Sequence, residues 1–265
     1  LRTTWTSQKI LMTMNSSKKS RISVIITAAG SSSRIGGGIK KEYLPYKNGT
    51  VLSRCAIAFL KAAIKNNWNL SHFIITYPKG GLDDSKEAVL SDSELKSLIK
   101  NFSKQNGSAE DDLILFVEGS FSRQASVFNA LDYIQSNGKT DVVLIHDGAR
   151  PFVSGELIQN VADSVLKTGE GAVPGLTPTE TIKEIDKDGK IIKHLKRISL
   201  ASVQTPQGFD FEKLYLYHTK AQKEDYEFTD DTEIYGSFGG TVRVISGESE
   251  NIKITYPKDL ESIKE

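Results

Sequence analysis

The chain reads Ile22-Ser23-Val24-Ile25-Ile26-Thr27-Ala28-Ala29-Gly30-Ser31-Ser32-Ser33-Arg34, and this stretch decides the fold. An apolar run typical of a buried strand stops at small residues and continues into a loop rich in serine and glycine. Small side chains let backbone N–H groups approach a ligand closely. The loop reaches Lys40 and Lys41 without an acid, so it predicts a site for a polyanion, most simply a nucleoside triphosphate. A solvated turn between a strand and a helix is the alternative.

Two common nucleotide motifs do not occur in this loop. It reads neither G-x-x-x-x-G-K-[ST] nor G-x-G-x-x-G, so a Walker A site and a dinucleotide fold are both unsupported. Phosphate binding would instead depend on backbone dipoles together with the full charges of Arg34 and Lys41.

The composition is that of an ordinary soluble globular protein. The chain has 265 residues, of which 38% are hydrophobic and 25% charged, with a formal net charge of +1. So small a net charge predicts neither nucleic acid nor membrane as a partner, and no apolar run reaches the ~20 residues of a transmembrane helix. The lone Cys55 cannot form an internal disulfide, which allows a reducing compartment. We expect a cytoplasmic protein if the source is bacterial.

The first 21 residues differ from the rest of the chain. They carry five basic residues and no acid. A disordered tail over residues 1–21 is the favoured interpretation. An altered start upstream of Met12 or Met14 and an organelle-import segment remain alternatives.

Apolar strands alternate with helical periodicity along the rest of the chain. Strands are predicted at Ile22–Thr27, His72–Tyr77, Leu113–Val117 and Val142–His146. Helices are predicted at Val51–Ala63, Ser85–Lys100, Ser122–Gln135 and Ser154–Lys167, the last with Ser154 as N-cap. This alternation predicts an α/β fold, a mostly parallel sheet with helices on both faces, in a single domain over residues 22–265.

Residues 176–199 interrupt the alternation. Two short strand-like segments flank Asp188-Gly189, a dipeptide typical of tight hairpin turns. The segment therefore predicts an inserted β-hairpin arm, which packs on a partner subunit or covers a site.

An acidic motif follows the last predicted strand, at His146-Asp147-Gly148-Ala149-Arg150. A carboxylate at the end of a strand, beside an anion-binding loop, is well placed to hold Mg²⁺ together with phosphate oxygens. Arg150 can bind a second phosphate bidentately. A surface pair of Asp147 and Arg150 is the alternative. His146 is expected to be a structural hydrogen-bonding group, because the four histidines lack zinc-ligand spacing.

The segment from Gly119 to Ser126 opens a predicted helix. Its N–H groups and hydroxyls can read a base edge or a ribose. N-capping by Ser120 or Ser122 is the alternative.

Polar residues also mark three later segments. A polar loop surrounds Pro206, and Thr229-Asp230-Asp231 is expected to cap a helix over 230–238. Asn251–Thr255 is predicted as a short strand carrying one cation, Lys253, with a helix starting at Pro257.

In their order along the chain, these segments resemble the 2-C-methyl-D-erythritol 4-phosphate cytidylyltransferases of the non-mevalonate isoprenoid pathway, from about Ile22 to Glu265. The matching segments are Ala28-Ala29-Gly30 with Arg34, Lys41-Glu42-Tyr43-Leu44, Ser122-Arg123 through Ser126, His146 through Pro151, Arg197, Thr205-Pro206-Gln207, Thr229-Asp230-Asp231 and Asn251 through Thr255. The resemblance implies a Rossmann-like nucleotidyltransferase and a homodimer whose β-arm reaches the other subunit. It implies transfer of a cytidylyl group from CTP to a polyol phosphate, with Mg²⁺.

The resemblance also assigns site residues. CTP would lie on the loop of Ala28, Ala29, Gly30, Ser31, Ser32 and Ser33, with its base near Gly119, Ser120 and Ser126. The catalytic cations would be Arg34, Lys41 and Lys253. Asp147 would lie near the metal and both substrates. Methylerythritol phosphate would contact Arg150, Thr181, Thr205, Thr229 and, from the other subunit, Arg197.

The chain departs from the family pattern where Lys40 precedes Lys41, so either lysine is a candidate phosphate ligand. Phe121-Ser122 replaces residues that are often acidic. A ribitol 5-phosphate cytidylyltransferase and a non-catalytic nucleotide-binding protein of the same fold remain alternatives.

Overall fold

A central sheet organises the computed structural model, which describes residues 19–32, 40–106, 109–224 and 226–263. The strands β1 to β12 are Arg21–Thr27, Pro45–Tyr46, Gly49–Thr50, Asn69–Tyr77, Leu115–Glu118, Val142–Asp147, Gly171–Leu176, Lys183–Ile185, Ile191–His194, Ser202–Val203, Gln207–Asp210 and Val242–Ser246. The helices α1 to α7 are Val51–Lys65, Leu82–Leu90, Ser93–Asn106, Arg123–Asn137, Gly155–Thr168, Phe211–Ala221 and Asp231–Ser237. Four 3₁₀ segments span Lys41–Tyr43, Glu110–Asp112, Arg197–Ser199 and Pro257–Ile263.

Eight strands form the central sheet, in the order β10-β7-β11-β6-β1-β4-β5 with β12 beside β7. The run β6-β1-β4-β5 is parallel, and β11 lies antiparallel between β6 and β7. Thr27 at the end of β1 pairs with Asp147 at the end of β6 and with Thr76 of β4. The loops that follow these strands therefore meet at one edge of the sheet.

Helices cover both faces because the side chains of β1 alternate between them. Ile22, Val24 and Ile26 are buried in the same cluster as apolar residues of α1, α3 and α5. Ile25 belongs to the opposite cluster, with residues of α4, α6 and α7. The predicted α/β fold, with a mostly parallel sheet between helical layers, is confirmed.

Side-chain caps set the beginnings of the helices, partly as predicted. The hydroxyl of Ser154 accepts from the N–H of Leu157 at 3.0 Å, and the hydroxyl of Ser122 accepts from that of Ala125 at 3.1 Å. Asp230 caps α7 by accepting from the N–H of Glu233 at 2.9 Å. These acceptors satisfy N–H groups that the first turn of a helix leaves without partners.

The helix predicted over Ser85–Lys100 is wrong, because the chain forms α2 and α3 with a break between them. Asp92 lies in the break, and its Oδ1 accepts from the N–H groups of Glu94 and Leu95. Its carboxylate also contacts Arg54 and Ser53 of α1. Asp92 is therefore the N-cap of α3 and begins a second helix.

The strand predicted at Asn251–Thr255 is also wrong, since this segment has no regular secondary structure. It is held by single contacts rather than by a ladder. The N–H of Ile254 donates to the carbonyl of Ala149 at 2.9 Å, and the side-chain amide of Asn251 donates to the carbonyl of Thr205 at 2.8 Å.

The predicted hairpin forms as β8 and β9, an antiparallel pair over Lys183–His194. Asp186 accepts from the N–H groups of Asp188 and Lys190, and Gly189 has a φ of 81°, which favours glycine. Within the predicted range 176–199, Leu176 belongs to β7. Three isoleucines of the arm are more than half exposed, Ile185, Ile191 and Ile192.

The tail predicted over residues 1–21 falls mostly outside the described residues, and Arg21 opens β1. In the part of the chain that the structure describes, no helix is long and apolar enough to cross a membrane.

His146 is a buried connector between β6 and two loops, as the sequence predicts. Its Nε2 donates to the carbonyl of Arg150 at 3.1 Å. Its Nδ1 accepts from the hydroxyl of Thr205 at 2.9 Å, and that hydroxyl accepts from the N–H of Asp147 at 3.0 Å. Both ring nitrogens are used by the neutral imidazole. Burial lowers the pKa of His146 from 6.5 to about 4.

This lowered pKa predicts acid sensitivity of the fold. Because the unfolded chain binds the proton near pH 6.5 and the folded chain near pH 4, the stability from neutral His146 is complete above pH 6.5 and declines as the pH falls to 4. Between pH 7.5 and pH 5, we expect His146 to account for about 2 kcal/mol of lost unfolding free energy.

Urea unfolding of the wild type, of His146→Gln and of the matched exposed variant His194→Gln measures this contribution. His146→Gln should be less stable at pH 7.5 and lose less stability at pH 5 than the wild type. His194→Gln should keep the wild-type difference. An unchanged difference in His146→Gln contradicts the prediction.

Candidate active site

A cleft of about 580 Å³ opens at the carboxyl edge of β1, β5 and β6. Its walls come from the loops after these strands, from the Lys41–Tyr43 segment and from residues near Lys253. The lining residues are Thr27, Ala29, Gly30, Ser31, Ser32, Lys41, Glu42, Pro78, Ser120, Phe121, Ser122, Arg123, Ser126, Asp147, Gly148, Ala149, Glu227, Lys253 and Thr255. Most of the predicted nucleotide-binding residues therefore lie around one cavity.

The loops after β1 and β5 approach each other closely at Gly119. A Cβ at this position would lie 2.3 Å from the Cβ of Ala29 and 2.8 Å from Oγ of Ser126. Glycine therefore permits the contact, and Ser126 strengthens it by accepting from the N–H of Ser120 at 2.9 Å. The two predicted halves of the nucleotide site thus form one wall.

Residues 40–42 hold the beginning of the loop after β1 in position through Gly30 and Ser32. The hydroxyl of Ser32 accepts from the N–H of Lys41 at 3.2 Å and donates to the carboxylate of Glu42 at 3.1 Å. The ammonium of Lys40 donates to the carbonyl of Gly30 at 2.7 Å and lies 3.4 Å from Glu42. Lys41 lines the cleft, whereas Lys40 bonds to the loop itself.

Asp147 is the buried carboxylate at the centre of the cleft. Its oxygens lie 2.7 Å from Nζ of Lys253, 3.4 Å from Nε of Arg123 and 3.6 Å from Nε of Arg150. Burial by itself raises the pKa of this carboxyl, but Lys253, Arg123 and Arg150 more than reverse the effect, so the pKa lies well below its ordinary value. Asp147 is therefore an anion at neutral pH.

The geometry adds Arg123, which the sequence marks only as one charge in the segment before Ser126. It is the first residue of α4 and lines the cleft. Its guanidinium bridges Asp147 and the buried Asp231, 2.7 Å from Oδ2 of the latter. Burial lowers the pKa of Arg123, but the charges of Asp231 and Asp147 raise it by more, so the group is a fixed cation.

The sequence assigns no site role to several further residues that line the cleft. Glu42 holds the loop, and Phe121 presents a ring that is 95% exposed. Their roles depend on contacts or exposure that composition and spacing do not reveal. The others are Thr27, Pro78, Ser122, Gly148, Ala149, Glu227 and Thr255.

Several predicted residues lie off the lining of this cleft. Ala28 is buried, and Arg150 and Thr205 contact the segment that carries Asp147. Thr229 bonds to Glu233 beside α7.

Thr181 and Arg197 belong to the arm region, where the guanidinium of Arg197 donates to the carbonyl of Thr179 at 2.7 Å. Of the residues that the structure describes, neither is among those lining the cleft. Ser33 and Arg34 lie outside the described residues.

The donor set at Asp147 fits a magnesium ion that is held chiefly by substrate. Among the described residues, no group of three His, Cys, Asp or Glu side chains could hold a metal by itself. Mg²⁺ is commonly bound through one or two carboxylates and the phosphates of a nucleotide. Asp147 supplies one such carboxylate, so the residues fit a metal that arrives with a triphosphate.

The chain resembles known proteins over most of its length. The family model described as "IspD: 2-C-methyl-D-erythritol 4-phosphate cytidylyltransferase" matches residues 22–264. A 2-C-methyl-D-erythritol 4-phosphate cytidylyltransferase of Clostridium beijerinckii is 36% identical over 239 residues, which are 90% of this chain and 95% of that protein.

Solved structures share the fold. A 4-diphosphocytidyl-2C-methyl-D-erythritol synthase from Anaerococcus prevotii matches with a TM-score of 0.70 and 28% identity, over 92% of this chain and 96% of its own. The 2-C-methyl-D-erythritol 4-phosphate cytidylyltransferase of Thermus thermophilus matches with a TM-score of 0.64 and 25% identity, over 91% and 96%. With the family model covering residues 22–264, the chain belongs to the 2-C-methyl-D-erythritol 4-phosphate cytidylyltransferase family.

Proposed function

We propose that this protein transfers a cytidylyl group from CTP to 2-C-methyl-D-erythritol 4-phosphate, giving 4-diphosphocytidyl-2-C-methyl-D-erythritol and pyrophosphate. The observation that carries the proposal is the cluster of Lys253, Arg123 and Arg150 around Asp147, in a cleft walled by a glycine- and serine-rich loop. Cations in excess over carboxylates suit a reaction between two polyanions. Family membership names the nucleotide and the acceptor.

CTP would bind along the loop after β1. Backbone N–H groups of Ala29 to Ser32 would face its phosphates, as such groups do in anion-binding loops. The base would lie near Ser120 and Ser126, where the loop after β5 meets the first turn of α4. Lys41 is the better candidate for the phosphate ligand than Lys40, because Lys41 lines the cleft, whereas Lys40 is not among its lining residues.

The reaction needs no covalent intermediate. A phosphate oxygen of the acceptor attacks the α-phosphorus of CTP, forms the new P–O bond and expels pyrophosphate as the old bond breaks. Lys41, Lys253 and Arg34 would provide fixed positive charge where negative charge grows on the α-phosphoryl and bridging oxygens. Mg²⁺, with Asp147 as its protein ligand, would add a further positive charge on the phosphates.

The acceptor would lie on the side of Asp147 toward Arg150. Thr205 accepts from the N–H of Asp147 and donates to His146, so its hydroxyl would fix the backbone of Asp147 beside the acceptor. Thr229 and Thr181 would complete the subsite.

A second copy of the chain would supply Arg197. The isoleucines of the arm are exposed in the single chain, and exposed apolar side chains on a projecting hairpin favour burial against another subunit. We therefore propose a homodimer through the β-arm, with each site completed by the partner.

The activity itself is tested by an acceptor panel. Purified protein with CTP and Mg²⁺ should release pyrophosphate with 2-C-methyl-D-erythritol 4-phosphate and far more slowly with ribitol 5-phosphate. UTP, GTP and ATP in place of CTP test the base. Preference for ribitol 5-phosphate rejects the proposed acceptor, and CTP binding without turnover on any acceptor rejects the enzyme.

Removing either of two proposed catalytic cations should slow turnover. Lys41→Ala and Lys253→Ala are each expected to lower kcat by roughly 10²–10³, the usual cost of one aligned charge in the transition state. Lys47→Ala, on an exposed turn, is the matched control and should keep the wild-type rate.

Thermal unfolding of the three variants shows whether they fold. A folded Lys41→Ala or Lys253→Ala variant with near-normal kcat contradicts the assigned role of that lysine.

Mixing two impaired variants at an acceptor concentration well below KM tests the shared site. Arg197→Ala should raise KM for the acceptor, and Lys41→Ala should lower kcat by roughly 10²–10³. A mixed dimer carries one site with both residues intact, so random exchange of equal amounts should restore about a quarter of the wild-type activity. If subunits exchange, as verified with differently tagged chains, and no activity returns, the arm does not complete its partner's site.

A further inference from the structure

A chain of polar contacts leads from α6 into the cleft. His218 of α6 donates from Nε2 to Oδ1 of Asp231 at 3.0 Å. Oδ2 of Asp231 accepts from Nη1 of Arg123 at 2.7 Å, and Nε of Arg123 lies 3.4 Å from Oδ1 of Asp147. His218 and Asp231 have no exposed surface, whereas Arg123 lines the cleft. These contacts join side chains that substrate does not touch to the carboxylate at the centre of the site.

Asp231 is a buried charge that is fully committed to its two partners. Burial raises the pKa of its carboxyl, but Arg123 and the hydrogen bond from His218 more than reverse this, so the pKa lies below its ordinary value. Its Oδ1 accepts from His218 and its Oδ2 from Arg123. Burying such a group is unfavourable unless it is paired and hydrogen-bonded, so its position fixes that of Arg123.

The local structure holds Asp231 still. It is the first residue of α7, and the preceding Asp230 caps that helix through the N–H of Glu233. Asp230 also accepts from the side-chain amide of Gln207 on β11 at 2.9 Å. The backbone of Asp231 is thus tied both to its helix and to the central sheet.

Asp231 also affects which cations pair with Asp147. Arg123, Arg150 and Lys253 all lie within 3.6 Å of Asp147. Arg123 has a second carboxylate in Asp231, at the shorter distance of 2.7 Å. Without Asp231, Arg123 would keep Asp147 as its salt-bridge partner among the described residues and would compete there with Lys253.

We propose that Asp231 and His218 are positioning residues for this reaction: Asp231, oriented by His218, fixes the Arg123 guanidinium in the cleft and leaves Asp147 to Lys253 and the incoming substrates. This rests on the proposed function, since it takes the cleft to be the CTP site. Neither residue touches substrate, so their effects pass through Arg123.

Two isosteric variants separate this role from a general loss of charge. Asp231→Asn keeps the shape of the side chain and removes its charge. Asp210→Asn removes the same charge from the cap of α6, where Asp210 accepts from the N–H of Lys213 at 3.0 Å and asparagine is an equally good N-cap. By pyrophosphate release, Asp231→Asn should lower kcat/KM for CTP about tenfold or more, and Asp210→Asn less than about twofold. Equal effects of the two variants overturn the proposal.

A double-mutant cycle tests whether Asp231 acts through Arg123. Arg123→Lys should lower kcat/KM for CTP, because lysine does not reproduce the two-sided contact of the guanidinium. The double variant Asp231→Asn/Arg123→Lys should be no more than about twofold worse than the more impaired single variant. If the fold-losses in kcat/KM of the two single variants multiply in the double variant, the two residues act independently and the proposal is rejected.

Two variants of His218 give an answer even if Asp231→Asn does not fold. His218→Gln keeps an N–H donor for Asp231, and His218→Leu does not. Thermal unfolding identifies folded variants, and kcat and KM for CTP are measured on those. We expect the His218→Gln variant to stay within about threefold of the wild type in kcat/KM, and the His218→Leu variant to lose as much kcat/KM as Asp231→Asn. Equal activity of the Gln and Leu variants overturns the role of His218.

The same assay separates the failure of this inference from the failure of the proposed function. A wild type that releases no pyrophosphate from CTP with any acceptor rejects the proposed function. If the wild type turns over CTP but the losses of kcat/KM at Asp231 and Arg123 multiply in the double variant, only the positioning role is rejected.

Discussion

Asp147 carries a buried negative charge at the end of the central strand β6, and the cleft is built around the three cations that balance it. A buried carboxylate is tolerated when opposite charges and hydrogen bonds replace the water it has lost. Arg123 comes from the first turn of α4, Arg150 from the loop after β6, and Lys253 from the irregular segment near the C-terminal end. Pairing with one carboxylate therefore brings α4 and the segment of Lys253 to the loop that follows β6.

Among the described residues around Asp147, the cations outnumber the carboxylates by one, since Arg123, Arg150 and Lys253 face only Asp147 and Asp231. Arg123 is shared with Asp231, whereas Lys253 and Arg150 meet Asp147. Substrate phosphates would supply the missing anions, and two polyanions could then approach each other without the repulsion they experience in water. The loop after β1 would add backbone dipoles to these charges, and Gly119 lets that loop pack against the loop after β5. The geometry suits the nucleotidyl transfer that membership in the family implies.

Much of the fold could be predicted because its signals are local. The strands that contain Val24 and Leu144 follow from continuous apolar runs, and Ser154 follows from the preference of serine for N-caps. The periodicity of apolar residues did not predict the break at Asp92, because the carboxylate that caps α3 is held by Arg54, 38 residues away along the chain. The expected strand at Asn251–Thr255 did not form because Asn251 and Ile254 bond to separate loops. In the site, the small-residue loop and Asp147 were predictable from position after a strand, whereas Arg123 was not.

The sequence by itself determined the alternation of strands and helices, the small-residue composition of the loop after β1 and the hairpin with its Asp188-Gly189 turn. Hydrogen bonding within a turn and the period of apolar residues act over a few residues, so one stretch of chain contains them. The tertiary structure alone decided that Lys41 rather than Lys40 lines the cleft, and that Arg123 joins Asp147 to Asp231 across 108 residues of sequence. Desolvation and charge pairing depend on what lies nearby in space, and only the folded chain brings those groups together.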